Sequence, residues 1–291
     1  MPTITTLLLR LWLVAALVGF AVVPPAAPVT HANQDTTLTV FAAASLTDAF
    51  KEIGGLYEAQ SGIPVTFNFG ASTQLRTQLE QGAAADVFAS ADQAQMDRAR
   101  AAGVIQGLDV TFVTNRLVVI TPVGNLAGIQ GPGDLAQPGV KLVTAGPEVP
   151  IGVYTQQVLE KMSQSPEFGA DFKDRADANI VSREPNVRQV VSKIQLGEAD
   201  AAVVYASDVT PQAAPQLATF DIPDEFNVLA TYPIALINGG PHIEAGVAFM
   251  VLVLSPIGQG VLAKWHFIPV GPVAQTADRE AVYATDLNIG F

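Results

Sequence analysis

The chain has 291 residues, 49% of them hydrophobic and only 14% charged, so it can bury large cores and is not disordered by composition. Its formal charge of −12, with no basic stripe, argues against nucleic acid as a partner. It has no cysteine, which excludes disulfides, thiolate metal sites and the lipid-anchored N-terminus that some exported proteins carry.

Residues 1–32 read as a secretory signal peptide. Arg10 precedes an apolar run from Leu11 to Val23, Pro24 and Pro25 break it, and Thr30-His31-Ala32 is an acceptable cleavage site. The run is short for a membrane span, although an uncleaved anchor is the other reading of the same pattern. Cleavage removes Arg10, carries the charge from −12 to −13, and leaves a protein free in a periplasm-like space.

Beyond residue 32, strand-like and helical segments alternate with short connections. Strands are expected at Leu38–Ala42, Val65–Phe69, Val87–Ser90, Leu117–Thr121, Lys141–Thr144, Ala201–Tyr205 and Tyr232–Ile237. Helices are expected at 45–60, 72–81, 92–102, 150–163, 186–196, 242–254 and 257–265. The alternation predicts an α/β protein with mostly parallel sheets, and the length favours two lobes. The Gly- and Pro-rich stretch from Gly124 to Gly139 and the change near Phe220–Tyr232 mark two crossings. They divide the chain into a discontinuous lobe I (37–120 plus 230–270), a lobe II (121–225) and a tail (271–291) without periodicity. Two crossings make a hinged clamp with its ligand in the interlobe cleft.

Four helix starts follow the same plan. Ser45, after the strand ending Ala42, stands three residues before Asp48 in the manner of a capping box. Ser72 follows Gly70 and Ala71 and occupies a cap position. Pro150 opens a helix with the N–H groups of Ile151 and Gly152 free, and Pro185 does the same for Val187. Helix starts carry free donors and positive dipole, so anions can sit there. A buried-type strand, Ala201–Tyr205, ends in a tyrosine, and ligand crevices lie at such carboxyl ends. The bland readings are that Ser45 and Ser72 are N-caps only, and that Val187 and Tyr205 are core residues. Asp86 and Asp92 read as turn and cap residues around a strand, not as a catalytic pair.

Together these segments resemble the periplasmic molybdate-binding proteins of bacterial molybdate ABC transporters. The likeness is carried by Val40-Phe-Ala-Ala-Ala-Ser-Leu-Thr-Asp48, Gly70-Ala-Ser-Thr73, Gly82-Ala-Ala-Ala-Asp86-Val-Phe-Ala-Ser-Ala-Asp92, Val149-Pro-Ile-Gly152, Asn186-Val-Arg188 and Gly197-Glu-Ala-Asp200-Ala-Ala-Val-Val-Tyr205. It runs in order over roughly residues 37–270. The resemblance implies a two-lobe periplasmic binding fold of the type II kind and a non-enzymatic protein that holds molybdate, or tungstate, by neutral donors. By motif the ligands are the hydroxyls of Ser45, Ser72 and Tyr205 and the main-chain N–H groups of Ile151 and Val187. It also implies an ABC permease with its ATPase as partners, a monomer, and no cofactor or directly bound cation. Arg188 is expected to point away, and Glu148 and Glu184 to face outward, since a carboxylate in the cleft would repel a dianion.

Two rivals remain open. A same-fold binder of another oxyanion such as sulfate differs only in cavity size. A serine hydrolase needs a base, and beyond residue 32 the chain has only His242 and His266, neither in a motif.

Overall fold

A computed structural model describes residues 36–272. The signal segment and almost all of the 271–291 tail lie outside them. In chain order the elements of the first half are β1 (Leu38–Ala43), α1 (Thr47–Ser61), β2 (Val65–Gly70), α2 (Ser72–Glu80), β3 (Val87–Ala89), α3 (Gln93–Ala101), β4 (Ile105–Asn115) and β5 (Leu117–Pro122). There follow β6 (Leu142–Ala145), α4 (Pro150–Ser163), α5 (Phe172–Ala178), β7 (Ile180–Glu184), α6 (Val187–Gln195) and β8 (Ala202–Tyr205). The chain continues through β9 (Leu217–Asp221), β10 (Ala230–Ile237), α7 (Ile243–Leu254), α8 (Pro256–Lys264) and β11 (Ile268–Pro269).

The strands form two regions. A six-stranded sheet runs β11-β4-β10-β3-β1-β2, while β8-β5-β9 form one small sheet and β6-β7 another. A parallel bridge between Leu142 and Ala201 ties the two small sheets together. The α/β class and two-lobe architecture are as the sequence suggests, but the sheets are mixed. Strands joined through helices, β1 with β2 and β3 and β6 with β7, run parallel. Those that carry the chain between regions, β4, β5, β9 and β10, pair antiparallel because no helical crossover turns them round.

The chain leaves the first sheet at Arg116 and returns between Asp221 and Ala230. The first crossing therefore comes before 120: Leu117–Pro122 bonds to β8 and β9 and lies wholly in the second region. The two crossings are pinned to each other by one buried side chain. Asn227 accepts from the Leu117 N–H and donates to the carbonyls of Leu117 and Ile222.

Periodicity explains the packing on each side. Ala49, Phe50, Ile53 and Tyr57 put one face of α1 on the large sheet, where Phe50 meets Phe67, Phe112 and Phe249. Gly54 permits that approach, since a Cβ there would lie 2.6 Å from the Phe67 ring. In the second region α6 buries Val187, Val190, Val191 and Ile194 along one stripe. These stripes fix where each helix begins, and the beginnings form the site.

Candidate functional site

Ala43 at the end of β1, Gly70 at the end of β2 and Tyr205 at the end of β8 border a cavity of about 210 Å³, counting its mouth. Its other walls are Ala44, Ser45, Ala71, Ser72, Ala91, Val149, Pro150, Ile151, Asn186 and Val187. All five residues singled out from the sequence therefore meet in one place, and no charged side chain lines it.

The two serines are not caps. Ser45 lies inside a 3-10 turn, Ala44–Leu46, that feeds α1, and no side chain caps that turn. Its Oγ is 3.0 Å from the Tyr232 hydroxyl. Asp48 forms no capping box with it, because its carboxylate bonds to Arg188 at 2.7 Å. Ser72 is the first residue of α2, with Ala71 at the cap, and its Oγ accepts the Ala91 N–H at 2.9 Å. Both hydroxyls are buried, and Ser72, which accepts from Ala91, keeps its hydrogen to donate.

The opposite wall is main chain. Pro150 is the first residue of α4, so the N–H groups of Ile151 and Gly152 have no partner within the helix. Gly152 lets this start sit tight on the preceding loop, since a Cβ would fall 2.1 Å from the Gly146 carbonyl oxygen. Pro185 lies outside α6, not in its first turn. Asn186 is the cap, accepting from the Gln189 N–H, and Val187 is the first helical residue with its own N–H free of the helix.

Tyr205 completes the ring. It is 1% exposed, yet its hydroxyl has no hydrogen-bond partner. Burial, and then the neighbouring Tyr232, push its ionisation well above the usual phenol range, so it stays a neutral O–H. Leaving a buried hydroxyl unpaired costs about 1–3 kcal/mol. A ligand oxygen in the cavity would remove that cost.

Arg188 does turn from the cavity, but it is not idle. Its guanidinium donates to the Ala44 carbonyl at 3.2 Å, bonds Asp48, and lies 3.2 Å from Asp208. It thus ties α6 to the turn that holds Ser45. Asp208 is fully buried, which raises its carboxyl to about 6 although Arg188 favours the charged form. Two further bonds span the gap: Thr73 Oγ1 donates to the Glu148 carbonyl at 2.7 Å, and Tyr154 to the Ala91 carbonyl at 3.4 Å.

Glu148 is exposed, as expected. Glu184 is buried instead of facing outward, because it accepts the Ser182 hydroxyl from its own strand, and it does not line the cavity. Asp92 caps α3 through the Gln95 N–H, and Asp86 accepts from the N–H groups of Thr39 and His242. His242 and His266 do not line the cavity either.

Two α/β regions around an uncharged cavity walled by hydroxyls and helix starts define a solute-binding protein. The chain belongs to the bacterial extracellular solute-binding protein family, whose profile matches residues 38–268. The molybdate-binding protein of Mycobacterium tuberculosis is 35% identical over 266 residues, covering 91% of this chain and 97% of that one. That of Escherichia coli is 31% identical over 242 residues, covering 79% and 88%. Among solved structures, the Azotobacter vinelandii periplasmic molybdate-binding protein aligns with a TM-score of 0.69 at 21% identity, over 80% of this chain and 100% of that one. The Mycobacterium tuberculosis sulfate-binding protein aligns at 0.73 with 19% identity, over 81% and 88%. Both structural matches speak to the fold alone.

Proposed function

We propose that this protein captures molybdate, and tungstate by the same contacts, outside the cytoplasm and delivers it to an ABC permease without transforming it. It would reach that place by cleavage of the 1–32 signal and act as a monomer. Ser45, Ser72 and Tyr205 would donate from their hydroxyls, Ile151 and Val187 from the main chain.

The single observation behind this reading is the unpaired Tyr205 hydroxyl, buried among four other donors with no carboxylate in the wall. Such a cavity suits an anion whose oxygens all accept. Hydrogen bonds to a charged group contribute roughly 1.5–3 kcal/mol each, so several of them reach sub-micromolar affinity without a cation. The named relatives bind molybdate, and their coverage of nearly the whole chain supports the same solute here.

Calorimetric titration with molybdate, tungstate, sulfate and phosphate tests the reading. Sub-micromolar binding of the first two, and no phosphate binding below millimolar, is expected. Sulfate binding tighter than molybdate would move the assignment to sulfate. Absence of binding to all four would overturn it.

A further inference from the structure

Two walls that met only through a bound anion would settle at whatever spacing that anion set. Here they also meet through the protein. Thr73, next to Ser72 at the start of α2, donates its hydroxyl hydrogen across the gap to the Glu148 carbonyl at 2.7 Å. From α4 on the opposite wall, the Tyr154 hydroxyl donates to the Ala91 carbonyl at 3.4 Å. A carbonyl oxygen only accepts, so each bond has one direction.

The two bonds straddle Ile151 and end on Ser72. Glu148 lies three residues before Ile151 and Tyr154 three after it. Thr73 is the residue after Ser72, and Ala91, whose carbonyl takes Tyr154, gives its N–H to Ser72 Oγ at 2.9 Å. The Ser72 hydroxyl and the Ile151 N–H, whose residues both wall the cavity, are thus held at one spacing whatever lies between them. Thr73 carries the shorter bond, while Tyr154 is buried with its ring edge-on to that of Tyr205, centroids 6.3 Å apart. Arg188 also crosses the gap, but through a long side chain that can adjust, whereas the β-branched Thr73 turns about one stiff torsion and leaves no slack.

We infer that Thr73, supported by Tyr154, is a positioning residue that fixes the Ser72–Ile151 spacing and through it the size of oxyanion the cavity takes. The inference rests on the proposed oxyanion function and sharpens it. Neither residue lines the cavity, so both act through Ser72 and Ile151. Molybdate and sulfate present the same charge and the same accepting oxygens, but the sulfate oxygens lie closer to their centre. Donors alone do not tell the two apart. A fixed spacing does, because an anion of the wrong size must either forgo a donor or break a strut.

The test is Thr73→Ala, titrated by calorimetry with molybdate, tungstate and sulfate, sulfate being read by its displacement of molybdate where it binds weakly. Alanine removes the strut and suits a helix, so ligand-free melting should hold. With the gap free to adapt, the preference between molybdate and sulfate should narrow about tenfold, while molybdate and tungstate, alike in size, keep their ratio. Thr73→Ser keeps the hydroxyl and should keep the preference. Equal loss for molybdate and sulfate would mean that the bond only holds the walls together and would overturn the inference, as would no change or continued exclusion of sulfate. Should Thr73→Ala melt clearly lower, Tyr154→Phe, which keeps the ring, is the second variant and should narrow the same ratio about threefold. If the unaltered protein prefers sulfate, the ratio is read in the other direction and should still narrow. If it binds none of these anions, the functional proposal fails and this inference with it. Binding with an unmoved ratio sinks this inference alone.

Discussion

The two walls of the cavity reach the same chemistry by different means. On the large-sheet side Ser45 and Ser72 offer hydroxyls held by Tyr232 and by the Ala91 N–H. On the other side the starts of α4 and α6 offer backbone N–H groups, joined by the Tyr205 hydroxyl. Side-chain donors can be deleted by one substitution and must be oriented by neighbours. Main-chain donors are oriented by the helix itself and are removed only by proline. The comparison teaches where this protein can be altered: one wall by side-chain identity, the other by backbone geometry.

A pH dependence of stability is expected from the region behind Tyr205. Behind Tyr205, Asp208 accepts the Tyr205 N–H, and burial raises its carboxyl to about 6. The folded protein therefore keeps a proton that the unfolded chain releases between pH about 4 and about 6, so stability falls as pH rises through that window and is level above it. The change amounts to at most about 3 kcal/mol. Denaturant titrations at pH 4.5 and 7 should show it, and Asp208→Asn should abolish the slope.

Next come single donors. Tyr205→Phe and Val187→Pro should each weaken molybdate binding by about 1–3 kcal/mol, measured by calorimetry. Val187 is the first residue of α6 and follows an extended cap, so the backbone accepts proline there; the substitution removes the N–H and also replaces a buried side chain, and a melting curve separates the two effects. Tyr205→Phe should leave the unliganded protein as stable as before or more so, because its hydroxyl has no partner to lose. If thermal melting shows a clear loss, Tyr205 is a structural residue.

Ser72→Ala should behave differently. It should cost about 1–2 kcal/mol of affinity and also lower the melting temperature, since the Ala91 N–H loses its acceptor. The smallest effect on affinity belongs to Ile151→Ala, which keeps its N–H. Its side chain is buried, so about 2–5 kcal/mol of stability should go while affinity changes by less than a factor of two or so. An affinity loss larger than that of Ser72→Ala would refute main-chain ligation at Ile151.

Much of this was legible in the sequence because helix starts are local. Small residues after a strand, then serine or proline, then a 3.6-residue apolar stripe need only about ten consecutive residues to be seen. What was not legible depends on distance. Tyr232 sits in an ordinary alternating strand, and nothing near it signals a partner 187 residues earlier. β4 escaped notice because Gly107 and Asp109 interrupt its alternation and Gln106–Leu108 are exposed. β7 and β9 are five residues each with polar members, and α5 is seven residues with two buried, too short for periodicity to show. The Ser45–Asp48 spacing suggested a box that tertiary structure replaced, since Arg188 claims the carboxylate.

That claim on Asp48 has a kinetic consequence. Arg188 rides on the same helix start as Val187, so the lobes cannot part without first breaking its bonds to Ala44 and Asp48. Neither Arg188 nor Asp48 lines the cavity, so their pair should lengthen residence time without altering which solute is chosen. Arg188 and Asp48 are 28% and 29% exposed, so added salt can screen their pair. Dissociation of the bound anion should therefore quicken as ionic strength rises, while the ranking of anions stays fixed.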